Sequence, residues 1–167
     1  MRDNASNTSD NLSVSSFTID TVKPVLAQVT AVTTPTDNTT PAYSFSSTEA
    51  GTNSYGGSCG SSSTSATSSG LDNVTIILTQ PDNSTALSDN TSYSNCTITI
   101  TDSAGNTSTP LLVNTFVVDT TAPTVSSTSP TDNLTSSVSV SENISVTFSE
   151  SMDNTSVTTN TSNTTCS

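Results

Sequence analysis

Residues Asp102 to Pro123 read D-S-A-G-N-T-S-T-P-L-L-V-N-T-F-V-V-D-T-T-A-P, and residues Asp3 to Pro24 read D-N-A-S-N-T-S-D-N-L-S-V-S-S-F-T-I-D-T-V-K-P. The two stretches align without a gap at an offset of 99, and 11 of their 22 positions are identical. A repeat of that length is the size of one small domain, so the chain reads as a window on a tandem array. The boundaries follow. Residues 1 to 24 are the tail of one unit, Val25 to Pro123 is one complete unit, and residues 124 to 167 begin a third.

Within the repeated stretch, Phe116 and Val118 share one strand face, as Phe17 and Ile19 do in the first copy. Leu111 and Val113, like Leu12 and Val14, fall on the opposite phase. A phase break held in both copies predicts a bulge, or a strand that changes sheets partway. Leu12 to Ile19 is accordingly expected to be a strand, and residues 3 to 9 a turn. Pro24 and Pro123 then fix φ and withhold a donor, so each makes a stiff joint.

Working outward, Val25 to Val32, Ala42 to Ser47, Val74 to Thr79 and Ser92 to Thr101 read as strands. Tyr43 and Phe45 share one face, and Cys96, Ile98 and Ile100 alternate with neighbours that include two threonines. Ser61 to Gly70 is either a weak edge strand or a loop. Pro81 to Ser84, P-D-N-S, has its residues where a type I turn wants them. Beyond the joint, Val138, Val140, Ile144, Val146 and Phe148 continue the alternation. About seven short strands in 99 residues, with turn signals between them and no helical period, predict an all-β, antiparallel Ig-like sandwich.

Composition opposes this reading before it supports it. Ser and Thr make 71 of 167 residues, and Leu, Ile, Val and Phe only 32. That apolar share sits just under the ~20% at which a highly charged chain is usually disordered. Against disorder, Val, Ile and Thr together make 56 residues, and the large apolar ones cluster in alternating runs. The core is nonetheless thin, so a covalent staple would help it. Cys59 and Cys96 are either two buried thiols or a disulfide. Cys96 has an inward phase, and closing 37 residues would stabilise by about 4 kcal/mol, which favours the disulfide. Cys166 has its expected partner beyond Ser167.

Charge narrows the partners. The net charge is −12, and only Arg2 and Lys23 are positive. Nucleic-acid binding through phosphate neutralisation is excluded, and anionic membrane surfaces are disfavoured. The sequence contains no histidine, so neither a Ser-His-Asp nor a Cys-His arrangement exists. Glu49, Glu142 and Glu150 form no paired-carboxylate motif, and the expectation is a protein that is not an enzyme. Fourteen of 16 asparagines stand in N-x-S/T, which fits either glycosylation or a preferred D-N-x-T turn; the turn is the reading adopted. Met1 is followed by no basic or apolar leader, and no apolar run approaches membrane-spanning length.

The run Cys96 to Ser108, C-T-I-T-I-T-D-S-A-G-N-T-S, followed by Phe116 to Pro123, resembles the end of a bacterial Ig-like domain from tandem arrays on cell-surface proteins. Ala122 to Asn133 and Ile144 to Asp153 resemble the start of the bacterial Ig-like type found in surface-layer proteins. Gly105 departs from the first copy, which has Ser6. The resemblance implies an extracellular rod of neighbouring repeats that projects something from a cell, as stalks and adhesins do. It also implies calcium at domain junctions, with oxygens from Asp102, Asn106 and Asp119 of one unit and Asp3, Asn7 and Asp20 of the one before. The alternative for these residues is an Asx-type turn at Asp102 and Asn106, with Asp119 capping the joint backbone. Three functions are carried forward: a structural spacer, a module binding a surface glycan or protein through loops such as Thr52 to Ser69, and a disordered Ser/Thr-rich segment.

Overall fold

The structure, a computed structural model, describes residues 1–66, 73–131, 139 and 141–156. Among the described residues every regular element is a strand. The chain forms two compact units, Met1–Asp119 and Thr120–Ser167.

In the first unit, β1 (Leu26–Thr30), β2 (Ala42–Ser47) and β5 (Asn73–Ile77) form one antiparallel sheet in the order β1-β2-β5. The second sheet runs β4-β3-β7-β8, from β3 (Gly51–Gly56), β4 (Ser65–Ala66), β7 (Thr97–Thr101) and β8 (Leu111–Leu112). A further pair joins β6 (Thr91–Tyr93) to β9 (Phe116–Val118). The core lies where the expected alternations point. Tyr43, Phe45 and Ile76 enter it from the first sheet, Ile98 and Ile100 from β7, and Tyr93 and Phe116 from the β6-β9 pair. The threonines of β7 stay on its outer face, half-buried. This is an Ig-like antiparallel sandwich, and the Cys59–Cys96 disulfide closes beside its core, with both cysteines buried.

The phase break in the repeated stretch is real in the second copy, and Asn114 fills it. β8 pairs with β7, then β9 pairs with β6, so the closing strand changes partners between Leu112 and Phe116. In the gap the Asn114 side chain stands in for backbone. Its Oδ1 accepts from the Val32 N–H at 2.9 Å, and its Nδ2 donates to the Val32 carbonyl at 2.9 Å. Just beyond, the chain after β1 runs parallel to β9. Thr36 bridges to Val118, the Thr36 N–H donates to the Val117 carbonyl at 2.9 Å, and the Asp119 N–H donates to the Thr36 carbonyl at 2.9 Å. Replacing Asn114 with alanine strands the N–H and C=O of buried Val32. We expect a loss of about 1–3 kcal/mol in urea unfolding. A loss below ~0.5 kcal/mol would mean that these groups find other partners.

Three expectations are corrected. Leu12 to Ile19 is no strand: residues 10–24 join no ladder, and Leu12, Val14, Phe17 and Ile19 are exposed. β8 and β9 owe their strand state to pairing with β7 and β6, whereas residues 10–24 pair with no strand among the described residues. Ser92 to Thr101 is interrupted into β6 and β7, as its partner strand is. Gly51 to Gly56, rich in glycine and serine and not assigned to a strand from sequence, is a strand that pairs with both β4 and β7. Gly51 is required there by contact, since a Cβ would lie 2.4 Å from the Thr101 carbonyl oxygen.

In the second unit, β10 (Val125–Ser129) pairs antiparallel with β11 (Ser145–Phe148). Its entry is fastened as in the first unit. The Thr124 N–H donates to Ser149 Oγ at 2.9 Å, and the Val25 N–H donates to Thr48 Oγ1 at 2.9 Å. That register makes Glu150 the counterpart of Glu49. Val138, Val140 and Cys166 lie outside the described residues.

Candidate functional site

The turn that opens the repeated stretch is built by one aspartate. Asp102 Oδ1 accepts from the backbone N–H of Ala104 at 2.9 Å and of Asn106 at 2.8 Å, while Oδ2 accepts from Asn106 Nδ2 at 2.9 Å. The first copy repeats this bond for bond: Asp3 Oδ1 accepts from Ala5 and Asn7, each at 2.9 Å, and Oδ2 from Asn7 Nδ2 at 2.9 Å. The position between them has positive φ in both copies, 93° at Gly105 and 69° at Ser6. Glycine takes that conformation freely, whereas serine is held in it by the surrounding bonds. The Asx-turn reading of Asp102 and Asn106 therefore holds. The Asn106 amide, helped by the backbone donors and against the opposing pull of desolvation, holds the Asp102 carboxyl below the usual aspartate range; Asn7 does the same for Asp3.

Asp102 has a second set of neighbours. One carboxylate oxygen from each of Asp20, Glu49 and Asp102 lies within 4.8 Å of the others. Topology explains the meeting. Thr52 of β3 pairs with Thr101 of β7, so the residues just before β3 and just after β7 emerge at the same end of the sheet. Ser47 fixes the Glu49 backbone, donating through Oγ to its carbonyl at 2.6 Å and accepting its N–H at 3.3 Å. Asp20 arrives from the joint of the preceding copy, where Asn106 Nδ2 also donates to its carbonyl at 3.2 Å. Partial burial and then the charges of Asp20 and Asp102 push the Glu49 carboxyl above the usual glutamate range.

Of the six residues expected to bear on calcium, the structure thus brings together Asp20, Asp102 and Asn106. Asn106 presents its amide nitrogen, a donor, to both Asp20 and Asp102. Asp3 and Asn7 satisfy each other in their own turn. Asp119 follows β9, with its N–H on Thr36. Glu49 was assigned to no site, because it stands 29 residues from Asp20 and 53 from Asp102 and no local spacing betrays it.

The donor set fits a hard divalent cation. Each carboxylate brings one oxygen to the cluster, and calcium, which takes six to eight oxygen ligands from carboxylates, carbonyls and water, would complete its shell with water. Such an ion would also relieve the repulsion that raises Glu49.

Residues 119–166 match the family model of the bacterial Ig-like domain. The match takes in β10, β11 and the joint before them. The bacterial Ig-like match agrees with the all-β architecture of the described residues, and Ig-like domains of this kind carry no catalytic apparatus as a rule. No curated protein and no solved structure matches the chain. Among the described residues no helix is long and apolar enough to cross a membrane.

Proposed function

We propose that the chain is a spacer segment of a bacterial extracellular repeat protein, in which each Ig-like unit is stiffened against the one before it by calcium. One observation carries the reading. Asp20, in the joint of one repeat copy, meets Glu49 and Asp102 at the end of the next unit, with Asn106 bonded to the same joint. A joint that merely linked two units would need no carboxylate from each side. The bacterial Ig-like match over residues 119–166 supports a surface module, and the turn shared by Asp3 and Asp102 supports a repeating rod. Asp20, Glu49 and Asp102 would hold the ion, whose positive charge cross-links their carboxylates. The chain's own part is to fix the two sides: Ser47 positions Glu49, and Ala104, Gly105 and Asn106 position Asp102.

The test is thermal unfolding of the full chain during a calcium titration. With an affinity typical of extracellular modules, a Kd of about 10⁻⁴–10⁻³ M, calcium at 100 times Kd stabilises by about 2.7 kcal/mol. Glu49→Gln abolishes that response while leaving the melting temperature in chelator unchanged or higher, since it removes a repelled charge. Binding weakens on acidification, beginning above the usual glutamate range because Glu49 protonates early. A melting temperature indifferent to about 10 mM calcium would sink the calcium joint. An unchanged scattering length of a two-repeat protein would sink the stiffening.

A further inference from the structure

A cavity of about 290 Å³ opens beside the disulfide, between β3, the β3–β4 connection and the turn after β5. Its walls are fixed independently of any ligand. Cys59 is bonded to Cys96, Gly60 and Thr79 exchange backbone hydrogen bonds at 2.8 and 2.9 Å, and Asn83 Oδ1 holds the Ser61 N–H at 3.1 Å. The Asn53 N–H donates to the Thr64 carbonyl at 3.0 Å. Such a space is preformed, as ligand sites usually are.

Its lining is mixed in a particular way. Tyr55 and Pro81 offer rings, Ser61 and Thr64 offer hydroxyls, Asn53 and Asn83 offer amides, and no residue lining the cavity is charged. Asn53 is 6% exposed. Its Nδ2 donates to Tyr55 Oη at 3.2 Å and to the Ser63 carbonyl at 3.3 Å, and the Tyr55 hydroxyl donates to that same carbonyl. The other end of the amide is left over: Asn53 Oδ1 is buried with no hydrogen-bond partner among the described residues. A buried acceptor without a donor is a defect that native structures rarely keep without a use.

We infer that this cavity binds one neutral saccharide unit, whose hydroxyl donates to Asn53 Oδ1 after a small turn of the carboxamide toward the opening. The volume sits at the low end of small-molecule sites, so it holds one ring rather than a chain. An uncharged lining in a chain of net charge −12 selects against anions. Hydroxyls and amides match a ligand that both donates and accepts, and the rings of Tyr55 and Pro81 suit the C–H face of a sugar. The site uses none of the residues of the spacer joint, so either reading stands if the other fails.

The experiment is a titration of the ¹⁵N-labelled full chain, followed by NMR, with glucose, galactose, N-acetylglucosamine and, as a control, glycerol. At least one sugar shifts the amides of Asn53, Tyr55, Ser61 and Thr64 with a low-millimolar Kd. Asn53→Leu, which keeps the size and removes the acceptor, weakens that binding at least ~10-fold. Tyr55→Phe, which keeps the ring, weakens it by a few-fold and remains readable if Asn53→Leu fails to fold. Shifts no larger with any sugar than with glycerol would overturn the inference. So would binding unaffected by both variants, or a long-lived water beside Asn53 with no sugar-dependent shift.

Discussion

Replacing Cys59 and Cys96 together with alanine lowers the stability of the first unit by about 4 kcal/mol, and its melting temperature by roughly 15–30 °C. The bond closes a loop of 37 residues, from the connection after β3 to the residue before β7. Opening that loop releases the unfolded chain and leaves the folded contacts largely as they were. The effect is large because the margin is small. Domains are stable by about 5–15 kcal/mol, and this one draws on a chain with 32 Leu, Ile, Val and Phe among 167 residues and no tryptophan. Reduction of the unmutated protein should reproduce the loss without the small voids that two alanines leave. Thermal melts by circular dichroism with and without reductant check both. A drop of less than about 5 °C would show that packing alone restrains the loop.

Phe116→Ala lowers stability by about 3–5 kcal/mol, whereas Phe17→Ala, the same change at the same place in the repeat, moves it by less than about 0.5 kcal/mol. Phe116 is fully buried, and its ring stacks on Tyr93 with centroids 5.3 Å apart. Phe17 is 77% exposed. The flanking sequences agree at the leucine, the valine and the phenylalanine, so local propensity cannot separate the two variants. Only the presence of β6 and β7 beside one copy can. Urea unfolding of both variants measures the contrast. A loss above about 1 kcal/mol for Phe17→Ala would mean that the first copy is packed after all.

That contrast also marks where sequence reading succeeds and where it stops. Period-two alternation placed Tyr43, Phe45, Ile98, Ile100, Phe116 and Val118 in the core, because a half-buried strand must alternate. The phase break at Asn114 was legible as an irregularity, and the Cys96 phase pointed to the disulfide. Leu12 to Ile19 carries the same alternation and forms no ladder, because a strand is a pairing and no described strand lies beside it. β3 escaped notice since glycine and serine lower strand propensity, while Gly51 is there for close approach to β7. Glu49 joins Asp20 and Asp102 only through the register of β3 on β7. Asn53 and Asn114 are the two asparagines of 16 outside N-x-S/T, and both amides bond inside the fold, but Asn83 does so too from within such a triplet, so composition alone does not single them out.

The segment after β1 and the closing strand β9 run side by side in the same direction at Thr36, clasped by Thr36, Val117 and Asp119. Tension applied between the joint at Pro24 and the joint after Asp119 draws this segment and β9 past each other along their length. An antiparallel hairpin pulled from its open end gives up its hydrogen bonds one at a time. A parallel clasp loaded from opposite ends must surrender them together, with the Asn114–Val32 pair in the same line. The thermodynamically thin sandwich thus places a sheared clasp between its two joints, in series with the β1–β2 ladder.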